Sequence, residues 1–182
     1  MLSHLPHLHG IDSVVIESRA RAYAGNRIRA GVLEHATIGL PRDTGLGART
    51  DAIGLPQTNT PLLFGGRLHR IDFADLTGKS IMVHGHHELV CDLIAARAAT
   101  SGEIVFEAEG IAIDGIDGDA PSIRCRRDGA EHTLGCDVIT GCRGFHCIAR
   151  PAMGTLPVFD RVYPFGWLGI LSGVAPASHQ LI

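Results

Sequence analysis

Residues 12–18 read DSVVIES, with Val14, Val15 and Ile16 in one unbroken β-branched run that ends on Glu17. Such a run favours an extended, buried strand. Gly10 precedes it, where glycine commonly closes a helix in the left-handed region. The sequence therefore predicts a helix, a corner at Gly10 and a strand. Farther along, HHELVCDLIAARAATSG (86–102) is the best helix in the chain, with Leu89, Leu93, Ala96 and Ala99 at helical spacing and Gly102 placed to close it. EIVFEA (103–108) follows as a second strand. Strand–helix–strand order of this kind builds an α/β sheet.

Between these elements, Asn26 opens a helical pattern, NRIRAGVLEHATIG (26–39), in which Ile28, Val32, Leu33 and Ala36 share a face and Gly39 closes the segment. Residues 40–60, rich in Gly, Pro, Thr and Asp, read as loop. PLLFGGRLHRIDF (61–73) reads as a hairpin turning at Gly65-Gly66, and SIMVHG (80–85) as a strand. SIRCRRDGAEHTLGC (122–136) reads as a second hairpin, turning at Asp128-Gly129. CDVITG (136–141) reads as a buried strand running into the turn CRGFHC (142–147). The expected class is α/β with an antiparallel hairpin insert.

Composition narrows the function. The chain has 182 residues, 45% hydrophobic and 19% charged, with net charge −3, which suits a globular domain with a real core. No block of Lys or Arg marks a nucleic-acid footprint, so no nucleic-acid partner is expected. The uncharged run PFGWLGILSGVAPAS (164–178) is too short and too rich in Gly and Pro to span a bilayer, and MLSHLPHLHG has no signal-peptide pattern. The five cysteines, at 91, 125, 136, 142 and 147, are odd in number and confined to the second half. That is not a disulfide framework, and a reducing cytoplasm is the expected compartment.

Two groups of residues carry chemistry. A carboxylate at a strand's C-terminal end, as at Glu17, is where dinucleotide-binding folds accept hydrogen bonds from ribose hydroxyls, with G-x-G-x-x-G about 20 residues upstream. Only 16 residues precede Glu17, and none forms that motif. Gly45-Leu46-Gly47 follows loop and lacks the third glycine. Taken alone, a carboxylate such as Glu17 is more often a solvated strand-end group than a ribose ligand. Arg27 and Arg29, at the start of the predicted helix, oppose its dipole unless an anion compensates, and a pyrophosphate suits guanidinium forks; surface arginines paired with carboxylates are the plainer alternative. Cys142, His146 and Cys147 have C-x₃-H-C spacing without the second pair that structural zinc wants. Cys142 and Cys147 also lack the two-residue spacing of a redox pair. His84, His86 and His87 read as a strand-to-helix turn with one or two solvated rings.

VVIESR, NRIRAGVLEH, HGHHELVCDLIAAR, CDVITGCRGFHCIAR and VFDRVYPFGWLG occur in that order. On these stretches the chain resembles the p-hydroxybenzoate hydroxylase family of flavin-dependent aromatic hydroxylases, from about Gly10 to Ile182. The resemblance implies a partial FAD/NAD(P)-binding Rossmann-like sheet lacking its first strand and Gly-rich loop. It also implies an FAD-binding domain over 1–155 and the start of a substrate-binding domain over 156–182. FAD and NADPH are the implied cofactors and an aromatic acid such as 4-hydroxybenzoate the implied substrate.

Residue by residue, Glu17 matches the carboxylate that holds the adenosine ribose. Arg27, Ile28, Arg29, Ala30, Gly31 and Val32 match the segment along FAD, with Arg29 at the pyrophosphate. His86 stands where the family has Gln, near the flavin. Gly144 lies in the turn touching both nucleotides, while His146 and Arg150 match positions facing NADPH phosphates, and Tyr23 falls nearby. Three further departures bear on NADPH. Ser18 replaces an arginine. Arg143 replaces an aspartate, so a ribose acceptor becomes a donor. Cys147 replaces a glycine, adding a Cβ where close approach is usual. No catalytic residue is identified, and the chain alone is expected to be inert. The alternatives are a non-catalytic remnant, binding nucleotide weakly or forming a homo-oligomer through exposed sheet edges, and a metal- or thiol-based module at Cys136–Cys147.

Overall fold

The computed structural model describes residues 1–28, 31–100, 102–144, 147–154, 157–166, 168, 170 and 173–175. The chain divides into two compact units, one formed by Met1–Ser13, Ala24–Gly102 and Leu168–Ile182, the other by Val14–Tyr23 and Glu103–Trp167.

In the first unit, helix α1 (His4–Leu8) ends as the sequence predicts. Gly10 takes φ +71°, and two crossed bonds close the helix: Gly10 N–H to His7 O at 3.0 Å and Ile11 N–H to Pro6 O at 3.0 Å. Strands β2 (Val32–Leu33), β3 (Leu55–Gln57) and β6 (Ile81–Val83) form an antiparallel sheet in the order β2-β6-β3, with Val83 opposite both Val32 and Leu55. Leu33, Ile38 and Met82 make its small core, and Leu89 of α6 (His86–Ala98) packs against them. Strands β4 (Asn59–Phe64) and β5 (Arg67–Asp72) are the predicted hairpin. Gly65 and Gly66 take φ +56° and +70°, the paired positive values of a tight hairpin turn. Asp72 caps α5 (Phe73–Thr77), its Oδ1 accepting from Asp75 N–H at 3.0 Å.

Four expectations need correction. The segment 26–39 is not one helix: α2 (Arg21–Asn26) ends where a helix was expected to begin, and Val32–Leu33 is a strand. Helix α3 (His35–Asp43) then starts nine residues later and runs through Gly39. Pairing of Val32 with Val83 buries Leu33 against Met82, and that tertiary gain overrides the weak helical period. Residues 40–60 are not loop, since α3 continues and α4 (Ala48–Ile53), β3 and the start of β4 follow. Gly45 and Gly54 only punctuate these elements. Gly102 does not close α6, whose last turn ends at Ala99 in right-handed geometry. CDVITG is neither strand nor buried, with Val138 79% exposed. Past the bond from Cys136 N–H to Pro121 O at 3.0 Å, it pairs with no strand among the described residues.

In the second unit, β1 (Val14–Glu17) pairs in parallel with β7 (Glu103–Phe106), setting Glu17 opposite Phe106. Strands β8 (Glu109–Asp114), β9 (Ser122–Arg127) and β10 (Ala130–Gly135) form an antiparallel meander, turning at Asp128 (φ +51°) and Gly129 (φ +78°) as predicted. The chain is thus mixed α/β, with parallel and antiparallel pairing. Glu107, between β7 and β8, is held at φ +57°. Its neighbour Ala108 is fully buried and donates its N–H to Glu17 O at 3.0 Å. A side chain in that conformation is strained. Glu107→Gly is expected to raise stability by about 1 kcal/mol, read as a higher urea midpoint with unchanged slope; a lower midpoint refutes the strain.

Candidate functional site

The second unit presents the strand-end carboxylate. Glu17 Oε1 accepts from Arg19 N–H at 2.7 Å and from Ser18 Oγ–H at 3.4 Å. Its Oε2 accepts nothing among the described residues. The carboxylate is therefore oriented by the backbone that follows it, with one oxygen left for an external donor. Arg19 sits 5.4 Å from the centre of the Tyr23 ring, a cation–π contact that stiffens the start of α2.

The CRGFHC turn belongs to the same unit. Gly144 takes φ +69°, where a side chain would be strained, and Gly144 O accepts from Cys147 N–H at 3.2 Å. A Cβ on Gly141 would stand 2.5 Å from Ala149 Cβ and 3.0 Å from Cys147 Sγ, so the turn folds tightly onto α7 (Ala149–Ala152). Arg150, on α7, lies 3.8 Å from Asp160 Oδ1. His146 lies outside the described residues. The five cysteines are unbridged, and no group of three His, Cys, Asp or Glu among the described residues is placed to hold a metal ion.

The first unit holds the remaining predicted positions. Arg27 follows the C-terminus of α2, where a cation complements the helix dipole rather than opposing it; the need for an anion argued from a helix start therefore lapses. Arg29 and Ala30 lie outside the described residues, and Ile28 is exposed. Gly31 and Val32 are gripped by the β6–α6 corner: Gly31 O accepts from His84 N–H at 2.7 Å, and His86 Nε2 lies 3.1 Å from Val32 O. His86, expected near the flavin, thus meets the main chain of the Arg27–Val32 segment at Val32.

A polar cluster that sequence reading missed surrounds this corner. Arg49 on α4 bridges Glu88 and, at 2.7 Å, Asp92, and His87 Nε2 lies 3.3 Å from Glu88 Oε1. His84, read from sequence as one of three histidines in a strand-to-helix turn, is 5% exposed with Nε2 unpartnered among the described residues. Burial pushes its pKa below the usual 6.5, against the opposing pull of Glu88 and Asp92. The available sign was the i, i+4 spacing of Glu88 and Asp92, which puts two carboxylates on one helix face facing a single distant cation.

The fold is that of flavoprotein monooxygenases. PqsL, a probable FAD-dependent monooxygenase of Pseudomonas aeruginosa, superposes with a TM-score of 0.73 at 21% identity over 90% of this chain and 44% of its own. Aklavinone-11 hydroxylase, solved with FAD and aklavinone, gives 0.65 at 17% identity over 83% of this chain and 32% of its own. The FAD binding domain family model matches residues 1–181, and the chain belongs to that family. It is 34% identical over 185 aligned residues to the p-hydroxybenzoate hydroxylase of Acinetobacter baylyi, covering all of this chain and 46% of that protein. The chain thus spans less than half the length of that relative.

Proposed function

We propose that the chain forms the adenine-dinucleotide-holding part of a flavin-dependent aromatic hydroxylase that uses NADPH and acts on a phenolic acid such as 4-hydroxybenzoate. Family membership and the 34% identity to a p-hydroxybenzoate hydroxylase support this reading. The observation that carries it is Glu17: a carboxylate ending a parallel strand, with Oε1 fixed by Arg19 N–H and Oε2 open to a ribose hydroxyl. The residues present fit FAD on that ground. Glu17 would hold the ribose, and the segment Arg27–Val32 would run along the cofactor with Arg29 at the pyrophosphate. Gly144, His146 and Arg150 would serve NADPH. When bound, FAD supplies hydride acceptance and oxygen activation; this chain's residues bind and orient it. In this reading the Rossmann-like FAD domain occupies 1–155, residues 156–182 begin the substrate domain, and the protein works in the cytoplasm. Because the chain spans 46% of that relative, the 182-residue polypeptide alone is expected to form no hydroxylated product.

Calorimetric titration with FAD tests the assignment. Glu17→Gln is expected to weaken binding about tenfold, the loss of one charge-assisted hydrogen bond, with thermal unfolding unchanged. Equal affinity in the variant refutes the ribose role. A second reading, self-association, draws on the β4–β5 hairpin. It is a two-stranded sheet with no further strand at either edge among the described residues, and it exposes Leu62, Leu63, Phe64 and Leu68. Light scattering that rises with concentration in the wild type, and not in a Leu63→Lys variant, supports it.

A further inference from the structure

We propose that the β6–α6 corner is an acid-sensitive clasp: neutral His84 keeps the corner closed on Gly31–Leu33, and protonation of its ring releases that strand. The geometry has three parts. The main chain of the corner holds the segment, through His84 N–H to Gly31 O at 2.7 Å and the pairing of Val32 with Val83 and Leu33 with Met82. The His84 ring is buried and its Nε2 has no partner among the described residues, so a proton added there gains no hydrogen bond to offset lost hydration. The groups bearing on the ring are Glu88, Asp92 and His87 on α6 and Arg49 on α4. Both carboxylates are already engaged by Arg49, and Glu88 by His87 as well. Arg49 takes only Oδ1 of Asp92, whose Oδ2 is buried without a partner among the described residues, and burial of the ring outweighs the pull of both carboxylates.

The sign follows from linkage. The closed form favours the neutral ring, so closure is complete above the ordinary value of 6.5. As pH falls below it, the open form takes up the proton first. Its population rises up to about tenfold per pH unit until the closed-state value is passed. His86, which reaches Val32 O, and His87 are half-buried rings of the same corner and serve as controls. The clasp rests on contacts within the chain and holds whether or not the strand meets a nucleotide.

Amide hydrogen exchange on the full chain tests it, from about pH 7.5 to about pH 5, as protection factors. The His84 amide is expected to lose protection as pH falls below 6.5, by up to about tenfold per pH unit until the closed-state value is passed, while the Ala99 amide, bonded to Ala95 O within the last turn of α6, keeps its own. In His84→Gln the His84-site loss disappears, whereas His87→Gln retains it. An undiminished loss in His84→Gln overturns the clasp. If that variant does not fold, the wild-type His84 ring titration followed by NMR decides: a depressed pKa tracking the loss of amide protection supports the clasp, and an ordinary pKa overturns it.

Discussion

Arg97→Ala is expected to lower the unfolding free energy by about 3 kcal/mol, from a lost buried stem and an orphaned carbonyl. Arg97 is 4% exposed on α6. Its Nη2 donates to Ser13 O at 2.8 Å and Ser13 Oγ at 3.1 Å, and Nη1 donates to Thr100 Oγ1 at 3.3 Å. No carboxylate pairs with it among the described residues, so neutral oxygens carry the whole burden of solvating a buried cation. The same guanidinium explains Gly102. A Cβ there would stand 1.8 Å from Arg97 Cζ, so any side chain at 102 must displace the guanidinium, and the glycine serves close approach rather than helix closure. Gly102→Ala in the wild type is expected to cost about 2 kcal/mol, because the guanidinium must leave its partners. In the Arg97→Ala background that cost should fall to about zero. Urea unfolding of the four proteins gives the coupling energy directly; additive costs would show that the guanidinium and Gly102 do not share this space.

These contacts mark the boundary of what the sequence makes legible. Local chemistry reads well. The Gly10 corner, the Gly65-Gly66 and Asp128-Gly129 turns and the strand ending on Glu17 depend on a few adjacent residues, and all appear where expected. Interactions between distant residues do not read. Val32–Leu33 becomes a strand because Met82 and Val83, some fifty residues later, offer it a partner, and nothing within NRIRAGVLEH reveals that. The buried Arg97 and the pairing of Arg49 with Glu88 and Asp92 are long-range contacts of the same kind; periodicity shows only that the two carboxylates share a helix face, not which cation meets them. At the candidate site, sequence located the Glu17 carboxylate and the His86 corner. It did not show that Oε1 is already committed to Arg19 N–H while Oε2 stays open, nor that His84 is buried.

Gly54→Ala is the second large effect, expected to cost about 3 kcal/mol by overpacking. Gly54 links α4 to β3 in extended geometry, φ −69° and ψ 150°, so an alanine meets no backbone strain and the cost is purely steric. Its Cβ would stand 2.5 Å from Thr50 O, 2.6 Å from Met82 Sδ and 2.9 Å from Met82 Cγ. The first contact is with backbone of α4, where Thr50 is 1% exposed and has no room to retreat. The others press on the central residue of the small core. Met82→Leu, which removes the sulfur but keeps the bulk, should therefore rescue Gly54→Ala only in part, since the clash with Thr50 O remains. Gly39→Ala supplies the opposite sign. Gly39 lies inside α3 with nothing within 4 Å of its would-be Cβ and no positive φ. Alanine there should stabilise by about 0.5–1 kcal/mol through helix propensity alone. Thermal unfolding of both variants separates the two roles: a stabilising Gly54→Ala would mean the α4–β3 link is open, and a destabilising Gly39→Ala would mean α3 stops at that glycine after all.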